Sequence, residues 1–181
     1  LASEMGVSRI PVRDAFRRLE AEGLLVGDEL GRFMVVEFGL EDAREVYAIR
    51  RRLEPLALEL AMSRKDPALV EELRAILREM QPVVQQGHAD EYIELDRHFH
   101  FAIYEGSHSP RLVKLIKGLW IGLPHLVPIK IAGRLEHSLQ QHQRLFDNIA
   151  EGNVQGAIGV LDAHISSACD ELVKTYQAAS N

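Results

Sequence analysis

The sequence predicts a mainly α-helical protein in two parts, a short helical segment with a strand pair followed by an antiparallel bundle of about six helices. The chain has 181 residues, of which 46% are hydrophobic and 27% charged. This composition supports a packed core and excludes a disordered chain. Apolar residues three and four positions apart dominate from residue 40 onward, whereas strand-like stretches with turn residues between them lie before it.

The N-terminal part predicts two helices and a hairpin. Residues 1–5 predict the end of one helix, which stops at Gly6. A second helix is predicted from about 11 to 22, with a proline in its first turn. The stretches 24–26 and 32–36 predict two short strands around a turn. This order is that of a winged helix-turn-helix, and we expect the module to be partial because its first helix is missing from the sequence.

The remainder of the chain predicts a helical bundle, and the boundary divides the chain into domains of residues 1–38 and 39–181. Glycine, proline and serine clusters separate six helical stretches. They cover about 41–63, 67–86, 89–105, 110–122, 134–151 and 153–178. Two prolines between 123 and 132 predict that the fourth helix is kinked or broken there.

Charge and cysteine content limit the class of protein. The net charge of −6 argues against a wholly basic nucleic-acid binder. Between residues 7 and 18, however, four arginines stand against one aspartate, so basic charge is focused on one short stretch. A single cysteine, Cys169, cannot form an intramolecular disulfide and predicts a cytoplasmic protein. No apolar run predicts a membrane span or a signal peptide.

Two groups of segments carry a family resemblance. The string GVSRIPVRDAFRRLEAEGLL, residues 6–25, resembles the recognition helix of the GntR family of bacterial transcription regulators. Residues 40–61, 95–104 and 138–164 resemble the FCD ligand-binding domain of its FadR-type branch, and the helix count is similar to the vanillate-repressor subgroup. The resemblance implies a homodimeric repressor that binds operator DNA and responds to a small organic acid.

The start of the second helix is the candidate DNA-reading element. Arg9 and Arg13 lie one turn apart there, and arginine can hold guanine with two hydrogen bonds. An arginine row is otherwise a solvated helix face, but the helix-turn-helix spacing and the hairpin favour DNA reading. The resemblance implies that Ser8 contacts DNA beside the two arginines and that Gly31 and Arg32 lie at the wing tip.

Four polar residues on apolar helix faces form a candidate metal site. Asp96 and His100 are four residues apart on one predicted helix, and His142 and His164 lie on apolar stripes of two others. Burial of these four polar side chains is unfavourable unless they are paired, and one divalent cation can pair with all of them. Each histidine alone could instead be a hydrogen-bonded core residue. The ligand set of metal-binding FCD domains matches these four positions. Nitrogen and oxygen ligands without thiolate suit Zn, Ni, Mn or Fe.

Two arginines are candidates for binding the effector. Arg50 and Arg134 match positions where arginine is usual in the resembling domains, and guanidinium pairs with carboxylate through two hydrogen bonds. Tyr47 and Glu54, near Arg50 on the same predicted helix, either line the same cavity or only pack. The expected ligand is therefore a small carboxylate.

Two other functions remain open from the sequence. An open metal site is also compatible with a metal-dependent hydrolase or oxygenase. The apolar stripes, however, offer no unused acid or base beside the ligands except Glu105 and Glu136, so we expect no enzymatic activity. A structural or partner-binding helical protein would leave the aspartate and the histidines without a joint role.

Overall fold

The computed structural model describes residues 1–28, 31–36, 39–121 and 133–179. Its N-terminal elements are helix α1 (Arg9–Ala21) and strands β1 (Leu25–Gly27) and β2 (Phe33–Val35). The bundle helices are α2 (Leu40–Ser63), α3 (Pro67–Gln86), α4 (Ala89–Gly106), α5 (Pro110–Trp120), α6 (Arg134–Ala150) and α7 (Val154–Ala179). The mainly helical prediction is confirmed. The kink expected between 123 and 132 lies outside the described residues.

The hairpin packs on α1. The two strands pair antiparallel, with Gly27 opposite Phe33. Phe33 meets Phe16 of α1 edge to face, with 5.2 Å between ring centroids. The amide of Gly27 donates to the carboxylate of Glu20 at 3.0 Å. These contacts fix the hairpin beside the helix that carries the candidate DNA-reading arginines.

Residues 1–5 form one hydrogen-bonded turn, which is too short to be assigned as a helix but has the features predicted for a helix end. The amide of Met5 donates to the carbonyl of Leu1 at 2.9 Å, and the amide of Val7 donates to the carbonyl of Ala2 at 3.1 Å. Gly6 closes the turn with a φ of +65°. A single turn fixes several residues for very few hydrogen bonds, which is the unfavourable start of helix formation.

The bundle helices begin and end at the signals in the sequence. The carboxylate of Asp66 accepts a hydrogen bond from the Ala68 amide at 2.9 Å, and Pro67 occupies the first turn of α3. Gly87 ends that helix with a φ of +69°, a conformation that glycine adopts without strain. The observed bounds therefore agree with the predicted ones to within a few residues.

Helix α2 packs against α4, α5 and α7, while α3 packs against α4 and α6, and α6 against α7. Apolar side chains from these helices form the core. The fully buried ones include Leu58, Leu73, Met80, Phe99, Ile103, Ile116, Leu145, Leu161 and Ile165. This packing directs one face each of α4, α6 and α7 inward. Among the described residues, no helix combines the length and the apolar character that a membrane span needs.

Candidate metal centre and nucleic-acid interface

Four side chains from three helices converge inside the bundle. Asp96 and His100 come from α4, His142 from α6 and His164 from α7, and one ligand atom from each lies within 4.8 Å of all the others. His100 Nε2 is 3.1 Å from His142 Nε2 and 3.3 Å from His164 Nε2. Asp96 Oδ1 lies 3.3 Å from His142 Nε2. The structure thus brings together the four residues that the sequence singled out.

Each imidazole is held from behind through its Nδ1 atom. The Tyr104 hydroxyl lies 3.1 Å from Nδ1 of His100, and the Tyr92 hydroxyl lies 3.1 Å from Nδ1 of His142. Nδ1 of His164 lies 2.9 Å from the amide oxygen of Gln141. Metal-binding histidines characteristically use one ring nitrogen for such a partner and the other for the ion. The arrangement leaves Nε2 of His100 facing Nε2 of both other histidines.

Burial sets the charge of the cluster. It raises the pKa of Asp96 to about 7, against the opposing influence of Arg50 and Arg134. It lowers the pKa of His142 to about 3 and holds that of His164 well below its ordinary value. Both imidazoles are therefore neutral at neutral pH, which is the form that binds metals.

The donor set fits a divalent cation. Neutral imidazole nitrogens with lone pairs 3.1 to 3.3 Å apart repel one another unless a proton or an ion lies between them. One proton can bridge one pair at a time, whereas a cation accepts lone pairs from all four residues at once. Three nitrogens and a carboxylate oxygen without sulfur suit zinc and the other ions expected from the sequence.

Arg50 lies beside this cluster but already has a carboxylate partner. Its guanidinium is buried, with Nε 2.7 Å from Glu54 Oε1. It stacks over the rings of Trp120 at 4.4 Å and Tyr47 at 4.8 Å. The Trp120 ring in turn lies 5.6 Å from that of His100. Trp120 therefore contacts the arginine and a candidate metal ligand at the same time.

Arg134 is also buried and paired. Its Nε lies 2.6 Å from the carboxylate of Glu171 on α7, and one terminal nitrogen lies 3.4 Å from the Ser167 hydroxyl. It lowers the pKa of His142 as well, so its charge is felt at the cluster. The other candidate effector arginine thus also meets a carboxylate of the chain itself.

The remaining described histidines lie apart from the cluster. His98 and His88 are exposed and face Glu72 and Glu91, each at 3.5 Å. His108 and His137 are exposed too. His125 lies outside the described residues. The structure is consistent with leaving these histidines out of the site.

Four of the five residues predicted to contact DNA line one surface groove between α1 and the hairpin. The groove has a volume of about 460 Å³, and Arg9, Arg13, Gly31 and Arg32 contribute to its wall. Among the described residues, three arginines and no carboxylate line it. Ser8 precedes α1 in an extended conformation and is exposed. Arg32 is held by an ion pair of its Nε with the Asp28 carboxylate at 2.6 Å.

Sequence reasoning missed the residues behind the ligands. Tyr92, Asp96, His100 and Tyr104 recur every four positions on α4. That spacing places them on one helix face and could have indicated the two tyrosines. Nothing in the local sequence indicates that Trp120 reaches the same place, because it approaches from α5.

A recognition helix with a hairpin, joined to a helical bundle with an internal polar site, defines a DNA-binding protein with a separate ligand-binding part. Family comparisons agree with this class. Residues 45–167 match the FCD domain, and residues 1–31 match the bacterial regulatory proteins of the gntR family. The chain belongs to the GntR family of transcription regulators and carries an FCD domain.

Known regulators are similar over most of the chain. The uncharacterized HTH-type transcriptional regulator YdhC of Bacillus subtilis is 32% identical over 175 residues, which are 95% of this chain and 78% of YdhC. The regulator McbR of Escherichia coli is 29% identical over 86% of this chain and 72% of its own length. Its structure superposes with a TM-score of 0.82 at 27% identity, over 98% of this chain and 84% of McbR.

A third relative, the gluconate operon transcriptional repressor of Bacillus licheniformis, is 25% identical over 82% of this chain and 60% of its own length. These relatives are transcription regulators, which confirms the expectation that the chain is not an enzyme. The hydrolase and oxygenase interpretations therefore lose their support.

Proposed function

We propose that the chain is a cytoplasmic, homodimeric repressor that releases its operator when a small carboxylate binds at a metal centre in the bundle. The observation that carries the proposal is the convergence of Asp96, His100, His142 and His164 to within 4.8 Å. A regulator with a built ion site in its ligand-binding part has a place where an effector can be sensed. The name of one relative, a gluconate operon repressor, supports both repression and an organic acid.

In this proposal the three histidines and Asp96 hold the ion, and the protein supplies their orientation. A bound divalent cation offers open coordination positions that attract a carboxylate oxygen. Tyr92, Tyr104 and Gln141 keep the imidazoles in place from behind. The buried surroundings exclude water and strengthen the attraction between ion and anion.

Arg50 and Arg134 are proposed to complete the effector site. Both guanidinium groups are buried, and their positive charge offsets part of the rise that burial causes in the pKa of Asp96. Because each already pairs with a carboxylate, an incoming acid shares or replaces Glu54 or Glu171 as the partner. Such an exchange of partners changes contacts of α2 or α7 and gives the bundle two alternative arrangements.

Operator binding is assigned to Ser8, Arg9, Arg13, Gly31 and Arg32. Four of these residues line the groove beside α1, and its arginines match the negative charge of the DNA backbone and the acceptors of guanine. An effector that binds the DNA-incompetent state more tightly weakens operator binding by the same coupling free energy, on the order of 1 to 3 kcal/mol.

The proposed dimer partner is a second copy docked on α2. Ile49, Leu56 and Leu60 are 39%, 45% and 36% exposed and lie on one stripe of that helix. The exposed Arg52 and Glu59 flank the stripe on one edge. If two α2 helices cross antiparallel midway between these charges, Arg52 faces Glu59 of the partner subunit. Self-complementary charge of this kind is what a twofold interface requires.

The test of the proposed function is operator release in the presence and absence of zinc. An operator is first selected from random duplexes with the full-length wild-type protein, and small hydroxy acids are then titrated against the preformed complex. We expect release at lower acid concentration with zinc bound. Arg50→Lys keeps the positive charge beside Glu54 but loses the two parallel donors of the guanidinium, so operator release from this variant should require a higher acid concentration. Arg78→Lys, an exposed arginine on α3, is the control. Release that depends on neither zinc nor Arg50 contradicts the proposal.

A further inference from the structure

Glu54 is a completely buried carboxylate whose two oxygens accept three hydrogen bonds. Oε1 accepts from Arg50 Nε at 2.7 Å and from Trp120 Nε1 at 2.8 Å. Oε2 accepts from the Tyr104 hydroxyl at 2.6 Å. Both oxygens act only as acceptors, as in an ionised carboxylate. Glu54 therefore joins α2, α4 and α5 in the interior beside the candidate metal centre.

The direction of these hydrogen bonds fixes where the protons lie. A tyrosine hydroxyl has one proton, and that of Tyr104 is donated to Glu54. Towards Nδ1 of His100, 3.1 Å away, the hydroxyl oxygen can then only accept. With Glu54 ionised, a neutral His100 donates from Nδ1 to this oxygen, so its Nε2, which faces His142 and His164, carries no proton. A bare Nε2 is what a metal ion requires.

We infer that Glu54 is a positioning residue of the metal centre, which acts through Tyr104 to hold His100 in its metal-binding tautomer. The inference rests on the proposed metal site and adds to it a residue outside the four candidate ligands. Ordinary core packing would not determine which nitrogen of His100 carries the proton, whereas the proposed role does.

Glutamine cannot replace Glu54 in this role, although it has nearly the same shape. Its side chain has one acceptor oxygen, whereas three donors converge on Glu54. The oxygen is expected to turn towards charged Arg50 and Trp120, which leaves the amide NH2 facing Tyr104. The Tyr104 hydroxyl must then accept, and its own proton points at Nδ1 of His100. That moves the imidazole proton to Nε2, where it blocks the ion.

Zinc affinity, measured by competition with a chelator on the intact chain, is the first readout. We expect Glu54→Gln to weaken zinc binding by about 10- to 100-fold, as loss of an outer partner of a metal ligand does. Glu45→Gln, an exposed change on the same helix, is the control. In a Tyr104→Phe background the wrong tautomer is no longer enforced, so Glu54→Gln should cost no more than about twofold further. An equally large loss in both backgrounds overturns the inference.

The second readout is the His100 tautomer in the metal-free protein, observed by long-range ¹H–¹⁵N correlation and assigned with His100→Gln. We expect protonated Nδ1 in wild type and protonated Nε2 in Glu54→Gln. A wild type with the proton on Nε2 overturns the inference even if no variant folds. A wild type that binds no zinc refutes the metal site itself. Zinc binding with an unchanged tautomer in Glu54→Gln refutes only the role of Glu54.

Discussion

The N-terminal part of the chain leaves its polar side chains at the surface, whereas the helical bundle buries several of them. In residues 1–28 and 31–36 no side chain is fully buried, and the arginines of α1 face solvent. The bundle instead encloses Arg50, Glu54 and three histidines among apolar residues. Exposed groups act on an external partner and contribute nearly independently. Buried groups depend on one another, because removal of one leaves its neighbours unsatisfied.

The largest expected effect is the loss of a metal ligand in the buried region. His142→Ala should reduce zinc affinity by more than the roughly 10- to 100-fold that loss of an outer partner causes, because it removes a direct ligand. Titration of the metal-free protein, with a chelator as competitor, gives the affinity. His98→Ala is the matched control, since His98 is exposed and faces Glu72. Equal zinc affinity in the His142 and His98 variants would place the site elsewhere.

The exposed region should give smaller and independent effects. Arg9→Ala and Arg13→Ala should each weaken specific operator binding by about 1 to 3 kcal/mol, and their effects should add. Both side chains line the groove beside α1. Fluorescence anisotropy at fixed salt measures the affinity, with Arg18→Ala in the last turn of α1 as the comparison. Unchanged affinity in both variants removes these arginines from DNA recognition.

A third prediction concerns the exposed stripe of α2 that is proposed to form the dimer interface. Arg52→Glu should weaken the dimer by about tenfold, because it faces like charge across the proposed twofold interface. The double variant Arg52→Glu with Glu59→Arg should recover most of the loss. Sedimentation equilibrium measures both dimer constants. If the double variant remains as weak as the single one, the helices do not pair in this register.

The smallest effect is expected at the ion pair between Arg51 and Asp162, which joins α2 to α7 with two hydrogen bonds of 2.7 and 2.8 Å. The pair is partly exposed, so Arg51→Ala should lower the free energy of unfolding by about 0.2 to 1 kcal/mol. The hydrogen bond from Arg51 lowers the pKa of Asp162. The pair therefore stabilises above the ordinary aspartate value of about 3.9 and loses this effect as pH falls through the lowered pKa.

Urea denaturation at several pH values tests this last prediction. The difference in unfolding free energy between wild type and Arg51→Ala should be constant near neutral pH and should close in acid. A difference that grows as pH falls would contradict the assignment of the pair.

Much of the fold follows from local signals in the sequence. Helix α3 begins where Asp66 accepts a backbone hydrogen bond and Pro67 occupies the first turn, and it ends at Gly87. Residues 1–5 form only a single turn, but the hydrogen bond from Met5 to Leu1 and the positive φ of Gly6 are those expected where a helix ends.

The candidate ligands could also be predicted, because an acid and three imidazoles on apolar stripes of α4, α6 and α7 are unfavourable there unless they share a partner. The residues that support these ligands from behind could not be predicted. Trp120 and Glu171 reach the site region only through packing between helices distant in sequence, and no periodicity records that. The pairing of Arg50 with Glu54 at 2.7 Å could have been predicted, since the two residues are four positions apart on α2.

The contrast between the proposed DNA-reading surface and the proposed buried metal centre depends most on whether an ion binds between α4, α6 and α7. Crystals of the zinc-loaded chain, measured on both sides of the zinc absorption edge, test this directly. We expect one anomalous peak per chain, about 2.0 to 2.2 Å from Nε2 of His100, His142 and His164 and from an Asp96 oxygen. The absence of a peak there, or a peak held by other side chains, would contradict the proposed metal centre.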